Sequence, residues 1–328
     1  MKIFVYEVRG DEREALARAS KQFGAELALS EEVPSAENAG LAAGCEGVSV
    51  LGQGKLDKTL LRAFRELGVK YLSPRTVGYN HIDLAAAKEL GIRVCNARYD
   101  PNGVADYTVM LILMCLRHYK QALWRGQVND FSLYGMQGRE LRNLTVGIIG
   151  GGRIGRQVAR NLSGFGCRIL ISDHHPAPEI EAIAEYVPFD TVIRESDIIT
   201  IHAPYRMENY HMINAKTIES MKDGVVIINC SRGELADNEA LIEGIESCKI
   251  GALGIDVAEG EEGIIHADHR VDILANRNLF YLRQFRNVVM TQHMAFYTRE
   301  AVESMVQCGI GGIVSMAEGK PWTTELNT

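Results

Sequence analysis

The sequence lacks any paired arrangement of cysteines. Seven cysteines are scattered between Cys45 and Cys308, their number is odd, and none forms a CxxC pair. Such a set predicts neither a disulfide framework nor a zinc site. Unpaired thiols are typical of a reducing compartment, so we expect a cytoplasmic protein.

Positive charge is also scarce. The chain has 35 Lys and Arg residues against 42 Asp and Glu residues, which gives a net charge of −7 and an isoelectric point near 5.8. Neutralising the phosphates of a nucleic acid requires a broad cationic surface. The sequence therefore argues against a nucleic-acid partner.

No apolar run is long enough to span a bilayer. The most apolar run, VMLILMCL at 109–116, lies between Asp106 and Arg117, whereas a spanning helix needs about 20 apolar residues. This run predicts a buried helix. The N-terminal MKIFVYEVRG lacks the apolar stretch and the cleavage site of a signal peptide. We expect no membrane association and no secretion.

The first hundred residues alternate between short β-rich runs and helical patterns. That alternation predicts parallel βα units. Asp100-Pro101 marks a boundary, and one long, mostly apolar helix is predicted over 104–125. The β-rich runs are KIFVYEV (2–8), GVSVL (47–51), VKYLS (69–73) and IRVCN (92–96).

The alternation of β-rich runs and helical patterns restarts at residue 146. The chain has 328 residues, more than the roughly 250–300 residues at which a single hydrophobic core stops growing. We predict an α/β protein with two doubly wound parallel sheets. One domain comprises 1–100 completed by a helical segment at 298–328, and the other comprises 101–297. The apolar runs of the second domain are VGIIG (146–150), RILISD (168–173), DIITIHAP (197–204), VVIINCS (225–231), ALGIDV (252–257) and VVMT (288–291).

The first of these runs leads into a glycine-rich turn. Gly150, Gly152 and Gly155 fit the pattern GxGxxG and open a helical segment. Such glycines permit a tight turn and a close approach of the backbone to a pyrophosphate, with the helix N-terminus facing the anion. The pattern also arises by chance in a chain with 32 glycines. Its place between a strand and a helix favours a dinucleotide site.

Asp173 supports that interpretation. It ends the next apolar run, 18 residues after Gly155, where a carboxylate accepts hydrogen bonds from ribose hydroxyls and repels a 2′-phosphate. The alternative role for Asp173 is a helix N-cap. The combination favours NAD over NADP.

Three further strand ends lead to charged or titratable residues. Arg232, Glu261 and His293 each follow an apolar run, and Asp256 lies at the end of one of them. Ligands of open α/β sheets bind at the carboxyl ends of the strands. We therefore expect these side chains to converge beside the nicotinamide.

The chemistry of the three residues is complementary. Arginine binds a carboxylate bidentately, histidine hands a proton to a developing alkoxide, and a glutamate favours the imidazolium and orients it. The set predicts hydride transfer to a 2-oxo acid. Taken singly, each residue has a plainer explanation: a structural ion pair for Arg232, a solvated acidic loop for Glu261 and a satisfied core histidine for His293.

Seven motifs carry a resemblance to a known family: RTVGYNHID (75–83), YDPNGVADYT (99–108), GGGRIG, SDIITIHAP, INCSRGELAD, GIDVAEGEE and HMAFYT. They resemble the D-specific 2-hydroxyacid dehydrogenases along nearly the whole chain. The most similar branch holds D-lactate, 2-hydroxyisocaproate and phenyllactate dehydrogenases and the vancomycin-resistance dehydrogenases. The resemblance implies a Rossmann-like NAD domain inserted into a flavodoxin-like substrate domain, and a homodimer formed through the long helix after residue 100.

The resemblance also implies roles for individual residues. Arg232 would bind the substrate, His293 would be the acid/base and Glu261 its partner. The implied substrate contacts are the backbone amides of Val77 and Gly78 and the side chains of Leu51, Tyr99 and Phe296. The implied NAD contacts are Gly150, Gly152, Arg153, Ile154, Gly155, Asp173, Ala203, Pro204, Asn209, Cys230, Arg232 and Asp256.

The long loop between Glu261 and His293 is typical of the lactate-like branch. One residue departs from the family pattern: Gln292 stands where the family usually has a proline. Leu51, at a position that is commonly aromatic in lactate enzymes, predicts a larger pocket. We expect a small 2-oxo acid as substrate, with pyruvate as the default. The alternatives are a branched or aromatic 2-oxo acid, such as 2-oxoisocaproate or phenylpyruvate, and, from a different class, a NAD-sensing protein like the C-terminal binding protein corepressors.

Two histidine pairs, His174-His175 and His266-x-x-His269, lack companion ligands at zinc spacing. No metal is therefore predicted.

Overall fold

The computed structural model describes residues 1–327. The chain divides into two compact units: unit one is built from Met1–Asp100 and the segment from Tyr297 onward, and unit two is Pro101–Phe296. Each unit holds one sheet whose strands are all parallel, with helices packed on both faces. The predicted α/β class with two doubly wound sheets is confirmed.

Unit one contains the strands β1 (Lys2–Val5), β2 (Glu26–Leu29), β3 (Gly47–Val50), β4 (Tyr71–Pro74) and β5 (Arg93–Val94). They pair in the order β2-β1-β3-β4-β5, which is the flavodoxin-like order. The order reverses between β1 and β3. In such sheets, ligands bind at the carboxyl ends of the strands beside that reversal.

Helices cover both faces of this sheet because their apolar residues recur on one side of each helix. Asp57 and Asp83 cap two of them: Asp57 accepts two backbone N–H groups of the first turn, and Asp83 accepts one. α1 and α11 contribute to one apolar cluster against the sheet, and α2 and α3 to the other. The helices of unit one are α1 (Arg13–Phe23), α2 (Lys58–Glu66), α3 (Leu84–Glu89) and, near the C-terminus, α11 (Arg299–Ala317).

Unit two contains β6 (Thr145–Ile149), β7 (Arg168–Ser172), β8 (Glu185–Tyr186), β9 (Ile198–Ile201), β10 (Val225–Asn229), β11 (Ile250–Ile255) and β12 (Val288–Met290). Their order is β12-β11-β10-β9-β6-β7-β8. This is the Rossmann order with one additional strand, and it reverses between β6 and β9. The central strands are buried throughout, as expected for a sheet covered on both faces.

The helices of unit two are α4 (Asn102–Leu116), α5 (Tyr119–Gln127), α6 (Arg153–Ser163), α7 (Phe189–Glu195), α8 (Ala215–Glu219), α9 (Asn238–Glu246) and α10 (Arg277–Gln284). α4 and α6 pack on one face of the sheet, and α7 to α10 on the other. The run 109–116 lies in α4 with most of its side chains buried, as predicted. Within residues 1–327, no helix combines the length and the apolarity that crossing a membrane requires.

The prediction of one long helix over 104–125 is wrong. The helix breaks at His118, which has a φ of +51° and so leaves the right-handed helical region. The segment after α5 returns to this break: the carbonyl of Leu116 accepts the N–H of Arg139, and His118 Nε2 lies 3.1 Å from the carbonyl oxygen of Gln137. These bonds replace helical ones, so α4 and α5 are separate helices.

Two strands were not predicted. β2 is half exposed and has no clear alternation of apolar residues, and β8 has two residues. Both lie at the edge of a sheet, where fewer side chains are buried and the sequence pattern is weaker.

Candidate active site

The turn between β6 and α6 is as tight as its glycines suggest. Gly150 has a φ of +99°, which favours glycine. A Cβ added to Gly155 would lie 1.9 Å from the carbonyl oxygen of Gly150. Only glycine therefore allows α6 to begin so close to the end of β6.

The side of this turn that faces away from the protein is open. A Cβ added to Gly152, the N-cap of α6, would meet no protein atom within 4 Å. The N–H groups at the start of α6 favour an anion there. A pyrophosphate requires open space at the middle glycine, Gly152, and a tight backbone at the outer glycines, Gly150 and Gly155. The turn meets both requirements and fits a dinucleotide.

Asp173 lies beside the same turn, just after β7. Its Oδ2 accepts the N–H of Gly151 at 2.6 Å, and its Oδ1 accepts the N–H of His175 at 2.7 Å. These bonds fix both carboxylate oxygens, and each oxygen keeps a second lone pair. The carboxylate is thereby oriented next to the glycine turn, where ribose hydroxyls can donate to it.

The loop after β9 lies against the other side of the turn. Burial lowers the pKa of His202 to about 3, so its ring is neutral, and its Nε2 lies 2.9 Å from Thr200 Oγ1. Further along the loop, Asn209 Nδ2 donates to the carbonyl of Pro204 at 2.8 Å, and Ser231 Oγ donates to the carbonyl of Ala203 at 2.6 Å. The loop is thus tied to itself and to the end of β10.

Cys230, in the segment after β10, has its thiol pKa raised by burial. The thiol is therefore neutral at ordinary pH. The structure places this residue beside the core cluster that includes α4 and α6.

Arg232 lies on a sharply constrained segment after β10. Asn229 Nδ2 donates to the carbonyl of Arg232 at 2.8 Å, and Arg232 Nη1 donates to the carbonyl of Ser231 at 2.6 Å. A Cβ added to Gly233 would lie 2.1 Å from the carbonyl carbon of Ala258. Glycine at this position lets the Arg232 segment pack directly on the segment that leads to Glu261.

His293 and Glu261 form the central pair. His293 Nδ1 lies 2.7 Å from Glu261 Oε1, and both side chains are largely buried. Since a carboxylate only accepts, Nδ1 is the donor and Nε2 is directed elsewhere. Glu261 is itself oriented because its Oε2 accepts the N–H of Ala258 at 2.9 Å.

Asp256 holds the loop on which His293 lies. Its buried carboxylate accepts Thr291 Oγ1 at 2.6 Å and the backbone N–H groups of Met294 at 2.9 Å and Ala295 at 2.7 Å. These three bonds bracket His293, which adopts a left-handed φ of +54°. A non-glycine residue keeps such a conformation only when its surroundings enforce it. Asp256 supplies that constraint.

Two aromatic rings lie next to His293. The ring of Phe296 lies edge-on at a centroid distance of 6.3 Å, and the ring of His266 is tilted at 6.0 Å. His266 Nε2 also lies 3.0 Å from the carbonyl oxygen of His293, so Nε2 is the donor. The loop between β11 and α10 therefore contacts the histidine directly.

The remaining predicted residues lie in unit one. Leu51 directly follows β3 and is buried, whereas Val77 lies beyond β4 and is exposed. The carbonyl of Val77 accepts Asn96 Nδ2, and that of Gly78 accepts Thr76 Oγ1, both at 2.6 Å. Across residues 1–327, the N–H groups of Val77 and Gly78 donate to no protein acceptor. Tyr99 also belongs to unit one.

A family model described as D-isomer specific 2-hydroxyacid dehydrogenase, NAD binding domain, matches residues 109–295, more than half of the chain. The chain belongs to that family. The resemblance stated from the motifs is therefore confirmed, and so is NAD as the cofactor. The protein is an NAD-dependent oxidoreductase of 2-hydroxy and 2-oxo acids.

Individual relatives cover almost the whole dehydrogenase. It is 44% identical over 309 residues to the aromatic 2-oxoacid reductase of Clostridium sporogenes, which covers 94% of this chain and 93% of that protein. It is 36% identical to the D-lactate dehydrogenase of Escherichia coli K12, over 99% of this chain and 100% of that protein. The solved D-lactate dehydrogenase with NAD+ from Lactobacillus jensenii matches with a TM-score of 0.86 and 33% identity, over 100% of both chains.

Two contacts of this dehydrogenase, one at each end of β12, are not predicted from the sequence. The apolar run 288–291 predicts that Thr291 ends a strand, and the structure adds the bond from its hydroxyl to Asp256. Lys120 lies in a helix, as predicted, and its ammonium group also donates to the carbonyls of Arg283, Phe285 and Val288 at 2.8–2.9 Å. Burial lowers the pKa of this lysine. A lysine among the other polar residues of this helix carries no signal of a partner more than 160 residues away along the chain.

Two histidines of the pairs His174-His175 and His266-x-x-His269 have partners other than a metal ion. His266 contacts His293, and His269 Nδ1 lies 2.7 Å from Asp272 Oδ2. In the described part of the dehydrogenase, no group of three or more His, Cys, Asp or Glu residues is arranged to hold a metal ion.

Proposed function

We propose that this dehydrogenase reduces a 2-oxo acid to the (R)-2-hydroxy acid, with pyruvate as the default substrate and His293 as the general acid. The observation that carries the proposal is the hydrogen bond of 2.7 Å between His293 Nδ1 and Glu261 Oε1. That bond orients the ring, stabilises the charge of the protonated form and leaves Nε2 for the substrate oxygen.

The reaction requires a proton at the carbonyl oxygen as C2 is reduced. NADH, when bound at the glycine turn, supplies the hydride to C2. His293 delivers the proton from Nε2 to the oxygen, so the carbonyl becomes a hydroxyl. Glu261 keeps the ring oriented throughout by accepting the hydrogen bond from Nδ1.

The carboxylate of the substrate requires donors in a fixed arrangement. Arg232 supplies guanidinium N–H groups: one nitrogen bonds the carbonyl of Ser231, and the others remain for a carboxylate. The N–H groups of Val77 and Gly78 supply a second set, since they have no acceptor within the described residues. We assign Leu51, Tyr99 and Phe296 to the wall of the pocket.

For the cofactor, unit two is the proposed NAD domain and unit one the proposed substrate domain. Asp173 is the acceptor for the ribose hydroxyls, and its negative charge disfavours the 2′-phosphate of NADP. The first turn of α6, which includes Arg153 and Ile154, provides the N–H groups for the pyrophosphate. Ala203, Pro204, Asn209, Cys230 and Asp256 complete the proposed set.

The test is spectrophotometric. NADH oxidation is followed at fixed enzyme with pyruvate, 2-oxobutyrate, 2-oxoisocaproate and phenylpyruvate, and the chirality of each product is determined. Turnover with formation of the (R)-product supports the proposal. Absence of turnover with every 2-oxo acid overturns it.

An aromatic or branched 2-oxo acid is the second candidate substrate. It is favoured by the 44% identity with a protein named aromatic 2-oxoacid reductase, and by Leu51, which occupies less space than an aromatic side chain. A methylene group in an apolar pocket changes discrimination by about 1–3 kcal/mol. The ratio of kcat/KM for phenylpyruvate and pyruvate decides between the two candidates.

A homodimer is the proposed assembly. α5 and the segment after it expose several large apolar side chains, a patch that water solvates poorly. The most exposed are Trp124 at 63%, Phe131 at 80%, Leu133 at 86% and Tyr134 at 89%. Sedimentation velocity tests this proposal: the wild type should sediment as a dimer and Leu133→Glu as a monomer. A monomeric wild type would refute it.

The cytoplasm remains the proposed location, since a reducing compartment suits seven free thiols. Cell fractionation with an antibody tests this location.

A further inference from the structure

Unit one contains a glutamate, Glu7, whose carboxylate is bound by a row of backbone N–H groups. The carboxylate of Glu7, just after β1, accepts four consecutive backbone N–H groups: those of Leu51, Gly52 at 2.9 Å, Gln53 at 2.8 Å and Gly54 at 3.0 Å. Two of these donors bond each carboxylate oxygen. Converging N–H groups of successive residues form a concavity that binds anions, and here the chain supplies the anion itself.

Glu7 is held in place from both sides. It has a left-handed φ of +56° and is 3% exposed. Its own N–H donates to the carbonyl of Glu32 at 3.0 Å, and its carbonyl accepts Arg75 Nη2 at 3.3 Å. Arg75 is fully buried and paired with Glu12. A strained conformation that is constrained this thoroughly is typical of functional segments.

The loop 51–54 depends on this carboxylate for its shape. Gly52 has a φ of +100°, and a Cβ there would lie 3.0 Å from the ring of His81. The four N–H groups converge on the two oxygens of the Glu7 carboxylate. Without the carboxylate, the N–H groups of the buried residues Leu51 and Gly54 would have no partner, which disfavours the observed conformation.

We propose that Glu7 is a positioning residue for substrate selectivity: by binding the four amides of loop 51–54, it sets where Leu51 lies. The inference rests on the proposed function, in which Leu51 borders the substrate. Glu7 itself contacts neither substrate nor cofactor in this proposal. Its influence passes through the backbone of the loop.

Three variants separate this role from a general contribution to folding. Glu7→Gly removes the carboxylate and tolerates the positive φ. Glu7→Gln keeps the size of the side chain but directs an NH₂ group at two backbone donors. Glu26→Gln is the matched control, because Glu26 lies on β2 of the same unit with an exposed side chain.

The experiment measures kcat and KM for pyruvate and for phenylpyruvate, together with the NADH dissociation constant from fluorescence. For Glu7→Gly and Glu7→Gln, we expect the KM of the 2-oxo acids to rise and the ratio of kcat/KM for the two substrates to change, each by about tenfold or more. NADH binding should be unchanged, because the cofactor residues lie in unit two. Glu26→Gln should behave like the wild type.

Chemical rescue provides the readout that a folding defect would not give. Propionate has the atoms that Glu7→Gly lacks, so added propionate should restore the wild-type KM and substrate ratio in that variant. It should not do so in Glu7→Gln, where the side chain fills the space. The wild type in the same propionate concentrations controls for inhibition.

Wild-type substrate ratios in both Glu7 variants would overturn the inference, as would an equal loss of NADH and substrate binding without rescue. If the wild type turns over no 2-oxo acid, the proposed function is wrong. If the wild type is active and the Glu7 variants share its selectivity, only the positioning role is wrong.

Discussion

Thr291 lies two residues before His293, and its Oγ1 donates a hydrogen bond of 2.6 Å to the carboxylate of Asp256. The bond joins the end of β12 to the end of β11 and fixes the start of the loop that presents the histidine. The same carboxylate binds the two residues after His293. The left-handed conformation of His293 is therefore held on both sides by one buried anion.

Thr291→Val should weaken this constraint without changing the volume of the side chain. We expect the free energy of unfolding to fall by about 1–3 kcal/mol, the range for a hydrogen bond to a charged group. We expect kcat to fall by about tenfold to a hundredfold, because His293, the proposed proton donor, is then less well placed. Urea denaturation and initial rates measure the two effects, with Thr191→Val on α7 as the matched control. An unchanged kcat would show that the bond does not position His293.

His293→Asn should abolish proton transfer while tolerating the positive φ, which asparagine adopts more readily than most residues. If His293 is the general acid, kcat should fall by about 10²–10⁴-fold, and NADH binding should remain. Stopped-flow absorbance at the nicotinamide band gives the rate, and fluorescence titration gives the affinity. His175→Asn, a change at an exposed histidine, is the control. A variant with full activity would return His293 to a structural role.

Gly155→Ala and Gly152→Ala should have different effects although both replace a glycine in one turn. The first places a methyl group 1.9 Å from the carbonyl of Gly150, whereas the second meets no protein atom within 4 Å. Gly155→Ala should therefore lower the Tm of the protein without cofactor. Gly152→Ala should keep that Tm and weaken NADH binding, because the methyl group occupies the space for the pyrophosphate. Differential scanning fluorimetry with and without NADH distinguishes the two. Normal NADH binding by Gly152→Ala would place the cofactor elsewhere.

His202 should make the free energy of unfolding depend on pH. Burial lowers its pKa from 6.5 to about 3 in the folded protein, so between these values the unfolded chain binds more protons. The stability from this group is therefore complete above pH 6.5 and is lost as the pH falls toward 3. Between about pH 7 and pH 5, the loss should be about 2 kcal/mol. His202→Gln should lose less over that range in urea titrations, whereas the exposed His175→Gln should follow the wild type. Parallel curves for wild type and His202→Gln would show that His202 is not buried in its neutral form.

Much of the fold follows from local patterns in the sequence. The continuous apolar runs at 146–150, 197–204 and 225–231 predicted central strands because strands covered on both faces require apolar residues throughout. The patterns failed where burial is partial, as at β2 and β8. They also failed at His118, where a distant segment bonds the end of α4 and stops a helix that the local sequence would continue.

For the candidate site, the sequence alone determined which residue types follow the strand ends, and with them the NAD fingerprint and the family. Regular strands and tight turns are encoded by neighbouring residues, so a motif such as GGGRIG is informative by itself. The partners of these residues follow from the tertiary structure alone: Glu261 bonds His293 across 32 residues, and loop 51–54 bonds Glu7 across more than 40. A hydrogen bond depends on distance and direction in space, and residues far apart in sequence acquire both only when the strands that carry them are packed side by side.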